Sequence, residues 1–529
     1  MNRLSVLALA LLCALPAFAQ RAALPTTDAE ARALAATITP TDLRRHLTVL
    51  SADDMEGRET GEPGQKKAAA YLQSQLEDLG FPAVGENDGY YQTIKFSRQK
   101  WEDVSMVLNG KELRHLWDFY SAPSQNNSRD QTVIDEITFL GYGIDDGTYS
   151  DYREHDLRGK SILIFSGEPR NAKGNFLLTG TKDPSDWSLN DGQKLRLARE
   201  RGVETVFVID PSFKQNVQEV RKETLDGRMR MAEQTEAERR EANSVYLTPE
   251  VTRRLLGDQY RKVIKARKKI EKSGKSRPVT VPTDIVLTQR KEVTELIGEN
   301  VLGFLEGTDP VLKEEILVVS AHYDHIGRRG DAIFNGADDN GSGTSTVLEI
   351  AEAFVQAKRE GKGPRRSVLF LWVSGEEKGL LGSEYYSTHP VFPLDQTIAD
   401  INVDMVGRVD EKHADNPYYI YVIGSDRLSS ELHQINETVN KDFTQLELDY
   451  TYNAEDDPNR YYYRSDHYNF ARNGIPSIFF FNGSHADYHR DTDTIEKIDF
   501  EKMARIGHLV FFNAWQLANQ DKRIEVDVK

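Results

Sequence analysis

Short apolar runs alternate with amphipathic helical segments through the second half of the chain. Four of these runs end close to metal-binding side chains: 316–321 before His322, 368–373 before Glu376 and Glu377, 398–403 before Asp404, and 478–481 before His489. Continuous apolar runs are typical of strands buried on both faces of a parallel sheet. Open α/β sheets bind ligands outside the carboxyl ends of their strands. The pattern therefore predicts that these polar residues meet at one edge of a sheet.

The first half of the chain is organised differently. Helical periodicity over 41–50 and 64–79, the latter ended by Gly80, gives way after about residue 103 to short strands and turns, which indicate a β-rich module. The segment 213–278 is densely charged and helix-prone, which is typical of solvated helical faces or of a partner-binding surface. From residue 285 onward, strands alternate with helices up to a closing helix at 500–517. This alternation predicts an α/β domain with a mostly parallel central sheet flanked by helices.

The N-terminal residues and the net charge indicate where the protein is located. Residues 1–19 combine a basic start at Arg3, a short apolar stretch and the small-residue site Ala17-Phe18-Ala19, and this predicts a cleaved signal peptide. The single cysteine, Cys13, would leave with it, and the formal net charge would change from -17 to -18. A chain with this much negative charge is a poor candidate for binding to nucleic acid or to an anionic membrane, because like charges repel. We expect a secreted or periplasmic protein of bacterial origin, with no membrane segment in its mature form.

The strand ends and one glycine-rich turn carry the candidate chemistry. Asp324 follows His322 by two residues, and a carboxylate at that position can orient a zinc-bound imidazole. The turn Asn335 to Gly343 contains the pair Asp338 and Asp339, which either cap the following helix or supply a carboxylate that bridges two cations. Adjacent side chains leaving a strand point in different directions, so one of Glu376 and Glu377 can bind metal while the other faces a reacting water.

Several histidines compete for the remaining positions. Spacing alone allows either His485 or His489 as a ligand, with His325 and His467 as further candidates that bind substrate or simply pack. Two histidines, two aspartates and one glutamate together form a complete ligand set for two zinc ions with open positions for catalysis. The sequence thus predicts a site for two Zn²⁺ per chain.

These motifs closely resemble those of the secreted dinuclear zinc aminopeptidases, a family that also includes glutamate carboxypeptidase II and the non-catalytic transferrin receptors. The resemblance covers nearly all of the mature chain, including Met55-Glu56-Gly57-Arg58, Thr60-Gly61, Gly141-Tyr142-Gly143 and Arg464-Ser465-Asp466-His467. It implies a peptidase domain formed by 20–105 and 285–529, with a protease-associated (PA) domain and the charged segment inserted at 106–284. That charged segment is longer than the family pattern suggests.

The resemblance also implies a role for each site residue. His322 and Asp404 would hold one zinc, Glu377 and His489 the other, and Asp339 would bridge them, with Asp324 behind His322. The family pattern Tyr-His-x-x-x-Asp-Thr is met by Tyr488, His489, Asp493 and Thr494, which favours His489 over His485. Glu376 would be the general base for a hydroxide that bridges the zincs and attacks a peptide bond.

Three functions fit this pattern. The first is an aminopeptidase that removes N-terminal residues from peptides. The second is a carboxypeptidase or other amidase with the same metal centre, for which Arg408 or Arg464 would bind the substrate carboxylate. The third is a non-catalytic, receptor-like relative, which the complete ligand set disfavours.

Overall fold

The computed structural model describes residues 28–528 except 148, 154, 190 and 235–240. The predicted signal peptide at 1–19, with Cys13, lies outside these residues. Contacts divide the chain into two compact units, one formed by residues up to 92 together with those from 299 onward, and the other by residues 93–298. Among the described residues, no helix is both long enough and apolar enough to cross a membrane.

The helices, in chain order, are α1 Asp28–Ala35, α2 Pro40–Leu50, α3 Pro63–Leu79, α4 Asp186–Leu189, α5 Asp191–Glu200, α6 Phe213–Asp226, α7 Pro249–Leu256, α8 Tyr260–Ser273, α9 Gly343–Arg359, α10 Leu381–Thr388, α11 Ser430–Val439, α12 His467–Ala471 and α13 Phe500–Asn519. The strands are β1 Tyr91–Leu108, β2 Lys111–Leu113, β3 Phe119–Tyr120, β4 Arg129–Gly141, β5 Asp145–Asp146, β6 Tyr149–Ser150, β7 Ser161–Phe165, β8 Thr205–Ile209, β9 Arg228–Met231, β10 Asn243–Leu247, β11 Val279–Leu305, β12 Ile316–His322, β13 Arg328–Arg329, β14 Ala332–Ile333, β15 Ser367–Val373, β16 Thr397–Val403, β17 Tyr419–Ile423, β18 Glu447–Asp449 and β19 Ser477–Phe481.

A mostly parallel sheet forms the centre of the first unit. Its strands lie in the order β18, β17, β19, β16, β12, β15 and the last part of β11. The four neighbours β19, β16, β12 and β15 are parallel to one another, whereas β17 is antiparallel to β19 and β11 is antiparallel to β15. These four strands are the four apolar runs of the sequence, and all of their residues are buried. The predicted α/β fold class is confirmed.

Helices cover both faces of this sheet. Successive side chains of a strand point to opposite faces, and along β12 Leu317 and Val319 join the larger core while Val318 joins a smaller one. Helices α1, α2, α3, α9 and α13 contribute to the larger core, whereas Tyr386 of α10 and Phe470 of α12 contribute to the smaller. Helix α3 ends at Gly80 in the left-handed conformation, as the sequence predicts.

The second unit mixes helices and strands. Strands β4, β7, β8 and β10 are parallel neighbours, with β3 antiparallel to β10 on one side and the first part of β11 antiparallel to β4 on the other. Strand β1 pairs with β2 and β9. The charged segment 213–278 contains α6, α7 and α8 but also β9 and β10, so it supplies core elements of the unit as well as charged surface. The assignment of this unit to the PA class stays a prediction.

The boundaries of the second unit lie at 92/93 and 298/299, whereas the sequence suggested 105/106 and 284/285. The difference has a simple origin, because the long strands β1 and β11 run through both suggested positions without a break. A change from one unit to the next within a continuous strand leaves no loop or Gly/Pro cluster for sequence reasoning to detect.

Candidate metal centre

The carboxyl ends of the parallel strands hold the first group of ligand-type side chains. His322 is the last residue of β12 and is 1% exposed. Its Nε2 lies 3.3 Å from Oδ1 of Asp404, which follows β16, and 3.5 Å from Oδ1 of Asp339, which lies in the turn before α9. Ligand atoms of these three residues all lie within 4.8 Å of one another. One imidazole and two carboxylates at this spacing can hold one metal ion.

A second group uses the other oxygen of Asp339. Nε2 of His489 lies 3.1 Å from Oδ2 of Asp339 and 3.2 Å from Oε1 of Glu377, which follows β15. Burial opposes protonation of His489, but the two adjacent carboxylates outweigh it and raise the pKa of the imidazole to about 10. Asp339 therefore contributes one oxygen to each group, the position expected of a bridging ligand.

The turn that carries Asp339 is held from the opposite side by Asp493. Oδ2 of Asp493 accepts hydrogen bonds from the backbone N–H groups of Asp338 and Asp339, at 3.0 and 3.1 Å. Gly336 begins the turn at φ 53°, and a Cβ at this position would lie 2.2 Å from the carbonyl oxygen of Asp339. Only glycine fits this turn without a shift of the backbone, so Gly336 allows the turn that places the carboxylate of Asp339.

Asp338 has a different partner from its neighbour. Its Oδ1 accepts a hydrogen bond from the backbone N–H of Gly407, and its Oδ2 lies 3.1 Å from Nε2 of His485. His485 is therefore occupied by Asp338, whereas His489 faces Asp339 and Glu377. Of these two histidines, the structure brings His489 to the second group, and the choice of ligand stays a prediction.

Glu376 lies beside both groups and belongs to neither. Its Oε2 is 4.0 Å from Nε2 of His322, and its backbone N–H donates to Oδ1 of Asp324 at 3.2 Å. Burial, together with the negative charges of Glu377 and Asp404, raises the pKa of Glu376 well above its ordinary value. This carboxyl group therefore holds a proton more readily than an exposed glutamate does, beside the two groups of ligand-type side chains.

Asp324 contacts His322 less directly than the sequence suggested. Nδ1 of His322 is 3.1 Å from the backbone carbonyl oxygen of Asp324 but 3.8 Å from its carboxylate. The carboxylate instead accepts hydrogen bonds from the hydroxyl of Thr60, at 2.6 Å, and from the N–H of Glu376. Asp324 therefore orients the ring through its backbone, and its side chain fixes the loop that carries Glu376.

His325 lies closer to the centre than sequence reasoning placed it. It is fully buried, and its Nδ1 is 2.9 Å from Oε1 of Glu377 and 3.8 Å from Oδ2 of Asp339. Its ligand atoms form a compact group with those two carboxylates. The sequence did contain a signal, since His325 follows His322 by three residues just after a strand. His467, by contrast, is buried against Phe479 and lies outside both groups.

Arg58 is the second residue whose role the sequence did not reveal. Its guanidinium is fully buried and donates to the carbonyl oxygens of Tyr323 at 2.8 Å, Asn335 at 2.7 Å and Gly336 at 2.9 Å, as well as to that of Leu50 at 2.5 Å. Burial lowers the pKa of Arg58 to about 10, so the side chain is still charged at neutral pH. It joins the segment after His322 to the turn before Asp339.

A small cavity opens onto these groups. Asp339, Glu376 and Asp404 form part of its lining. The remaining lining residues are Arg464 and a set of apolar and aromatic side chains, namely Met405, Tyr461, Phe479, Phe481 and Tyr488. The cavity lining therefore combines ligand-type carboxylates with apolar and aromatic surface.

Two groups that share one aspartate at the carboxyl edge of a parallel sheet form the arrangement expected of a binuclear metallohydrolase. Comparison with known proteins indicates which family of metallohydrolases the chain resembles. The family model described as Peptidase family M28 matches residues 300–513, which contain all five predicted ligands.

Similar proteins point in the same direction. A "Probable leucine aminopeptidase" of Trichophyton verrucosum is 33% identical over 216 residues, which are 40% of this chain and 56% of that protein. "Aminopeptidase YwaD" of Bacillus subtilis is 28% identical over 251 residues, 45% of this chain and 50% of that protein. The chain thus spans about half the length of the curated relatives it matches. These matches confirm the resemblance to aminopeptidases that the motifs indicated.

The fold has a match over nearly the whole chain. The solved structure "Aminopeptidase from Aneurinibacillus sp. strain AM-1" has a TM-score of 0.55 at 18% sequence identity, covering 94% of this chain and 98% of that one. At this identity the similarity concerns the fold alone.

Proposed function

We propose that this protein is a zinc-dependent aminopeptidase that releases N-terminal residues from peptides. The observation that carries the proposal is the pair of ligand groups joined by Asp339, with Glu376 beside them and outside both. The similarity of residues 300–513 to peptidase family M28, and of the chain to proteins named aminopeptidases, supports the same reaction class.

The residues present fit two zinc ions. Nε2 of His322, Oδ2 of Asp339 and Oε1 of Glu377 are buried and have no hydrogen-bonding partner within the described part of the chain. Imidazole nitrogens and carboxylate oxygens are the zinc ligands of catalytic sites, and such sites leave a position open. His322 and Asp404 would hold one ion, Glu377 and His489 the other, and Asp339 both. When bound, the ions would polarise a peptide carbonyl and lower the pKa of a water molecule.

Glu376 would move the proton. Its carboxylate lies within the cavity but outside the ligand groups, so it is free to take a proton from the attacking water and return it to the leaving nitrogen. The N–H of Glu376 is fixed by Asp324, and Ser465 donates to Oδ2 of Asp404 at 2.6 Å. These contacts hold the acid–base group and the nearby ligand in a fixed relation.

The test combines metal analysis with two kinds of peptide. The purified chain is expected to contain two zinc ions, to lose activity with a chelator, and to hydrolyse peptides with a free N-terminus much faster than their N-acetylated counterparts. Equal rates on blocked and unblocked peptides would instead support an amidase or carboxypeptidase. A zinc-loaded protein without any peptidase activity would support a receptor-like relative.

Export is part of the same proposal. The basic start, apolar stretch and small-residue site in 1–19 support cleavage after Ala19 and a secreted or periplasmic mature protein. N-terminal sequencing of the protein recovered from culture medium or periplasm tests this. A cytoplasmic protein that retains residues 1–19 would contradict it.

A further inference from the structure

Arg464 is a cation in a cavity that otherwise consists of carboxylates and apolar groups. Its guanidinium carbon lies 4.7 Å from the centre of the Tyr461 ring, and the Tyr461 hydroxyl is in turn hydrogen-bonded to Ser484 at 2.9 Å. Stacking on an aromatic ring orients a guanidinium and leaves its N–H groups available. Across the described residues, no carboxylate forms an ion pair with Arg464.

The other arginine near the site is already occupied. Arg408 donates to Oδ2 of Asp487 at 2.8 Å and lies 3.7 Å from Oδ1 of Asp493. Its side chain is only 14% exposed, and it lies outside the cavity lining. Of the two arginines that the sequence suggests as carboxylate ligands, the structure leaves Arg464 available.

The charge of the cavity wall explains what Arg464 would do. In the proposed site the metal ions balance the charges of Asp339 and Asp404, and Glu376 carries the transferred proton, so Arg464 is the lining residue left to pair with an anionic part of the substrate. A guanidinium offers parallel N–H donors that match the two oxygens of a carboxylate. The one exposed, unpaired cation in the cavity is therefore complementary to a negatively charged part of a substrate.

We propose that Arg464 forms a carboxylate subsite, so that the enzyme favours peptides carrying a carboxylate close to the scissile bond. Two sources have this chemistry: the C-terminus of a dipeptide and the side chain of an acidic residue. The inference rests on the proposed peptidase function, and it names the substrate class of that site.

The experiment compares matched substrates that differ only in the carboxylate. Leu-Leu is compared with Leu-Leu-amide for the dipeptide C-terminus, and glutamyl-p-nitroanilide with glutaminyl-p-nitroanilide for the side chain. In Arg464→Met, the ratio of kcat/KM within at least one pair is expected to fall about 10-fold, the value for one charge-assisted hydrogen bond at an exposed position. The pair that responds identifies the source, and Arg464→Lys is expected to restore part of the ratio.

Arg460 provides a matched control. Its guanidinium carbon lies 4.8 Å from the centre of the Tyr463 ring, which is nearly the geometry of Arg464 on Tyr461, but it lies outside the cavity lining. Arg460→Met should keep both ratios at the wild-type values. The inference is overturned if neither ratio changes in Arg464→Met, or if Arg460→Met changes them equally.

A binding measurement separates this inference from the proposed function. If the zinc-loaded protein hydrolyses no peptide, the peptidase proposal fails. Calorimetric affinities of Leu-Leu and Leu-Leu-amide for wild type and Arg464→Met then decide the subsite. A preference for the free carboxylate that is lost in Arg464→Met supports the subsite, and equal affinities overturn it.

Discussion

Replacing Arg58 with methionine should release the zinc ions before it unfolds the chain. The buried guanidinium donates to the carbonyl of Tyr323, next to His322, and to those of Asn335 and Gly336 in the turn before Asp339. Methionine fills much of the same space but leaves these acceptors without donors. The two segments that carry His322 and Asp339 would then be free to separate.

The magnitude follows from the contacts. Four hydrogen bonds from a charged donor contribute about 1.5 kcal/mol each at the low end of their range, and removing a buried charge recovers part of that total. A net loss of about 3–5 kcal/mol is expected, which is a large share of the stability of an ordinary domain. Loss of a residue that orients metal ligands lowers metal affinity by about 10- to 100-fold, so zinc affinity should fall by at least this factor.

The assay needs a control that is equally destabilised but distant from the ligands. Arg366 is also fully buried and donates to the carbonyls of Leu517 and Gln520 and to the Glu315 carboxylate. Thermal unfolding and zinc affinity, the latter by competition with a chelator, are measured on Arg58→Met and Arg366→Met. Both variants should unfold at lower temperature, and only Arg58→Met should bind zinc more weakly. Equal zinc affinities would refute the assigned role of Arg58.

Three further predictions follow from the ligand groups. Glu376→Gln should retain two zinc ions while kcat falls by about 10²- to 10⁴-fold, the usual contribution of an acid–base group, and unchanged turnover would contradict its role. His489→Ala should lose about one zinc per chain, whereas His485→Ala should not, as measured by metal analysis; the opposite result would make His485 the ligand. Zinc should bind more tightly as pH rises from 6 to 8, because the pKa of about 10 keeps His489 protonated in the metal-free site and zinc must displace that proton. A zinc affinity independent of pH, measured by chelator competition, would show that no proton is displaced.

The hydrophobic pattern of the sequence predicted the strands that are buried on both faces. The buried strands β12, β15, β16 and β19 appear in the sequence as unbroken apolar runs, because both faces of each strand are covered. Once these strands are located in the sequence, their carboxyl ends are known, and so are the positions of His322 and Asp404. The second unit was less predictable, since its boundaries fall inside β1 and β11.

The histidines show the limit of sequence reasoning at the site. Spacing left His485 and His489 equivalent, because both follow β19 within a few residues. The distinction arises from residues far away in the chain: Asp338 approaches His485, while Asp339 and Glu377 approach His489. The sequence did not place His325 beside Glu377 for the same reason, since this contact depends on how the loops after β12 and β15 meet.

The paired aspartates have different partners, and neither of them caps helix α9. Helix capping was one interpretation of Asp338 and Asp339, but α9 begins at Gly343 with no side-chain cap at Ser342. Asp338 instead binds the N–H of Gly407 and faces His485, and so ties the turn to the segment after β16. Asp339 is thereby left with both oxygens directed at the ligand groups. The bridging role proposed for Asp339 requires a rigid support as well as the right chemistry, and the adjacent aspartate provides that support.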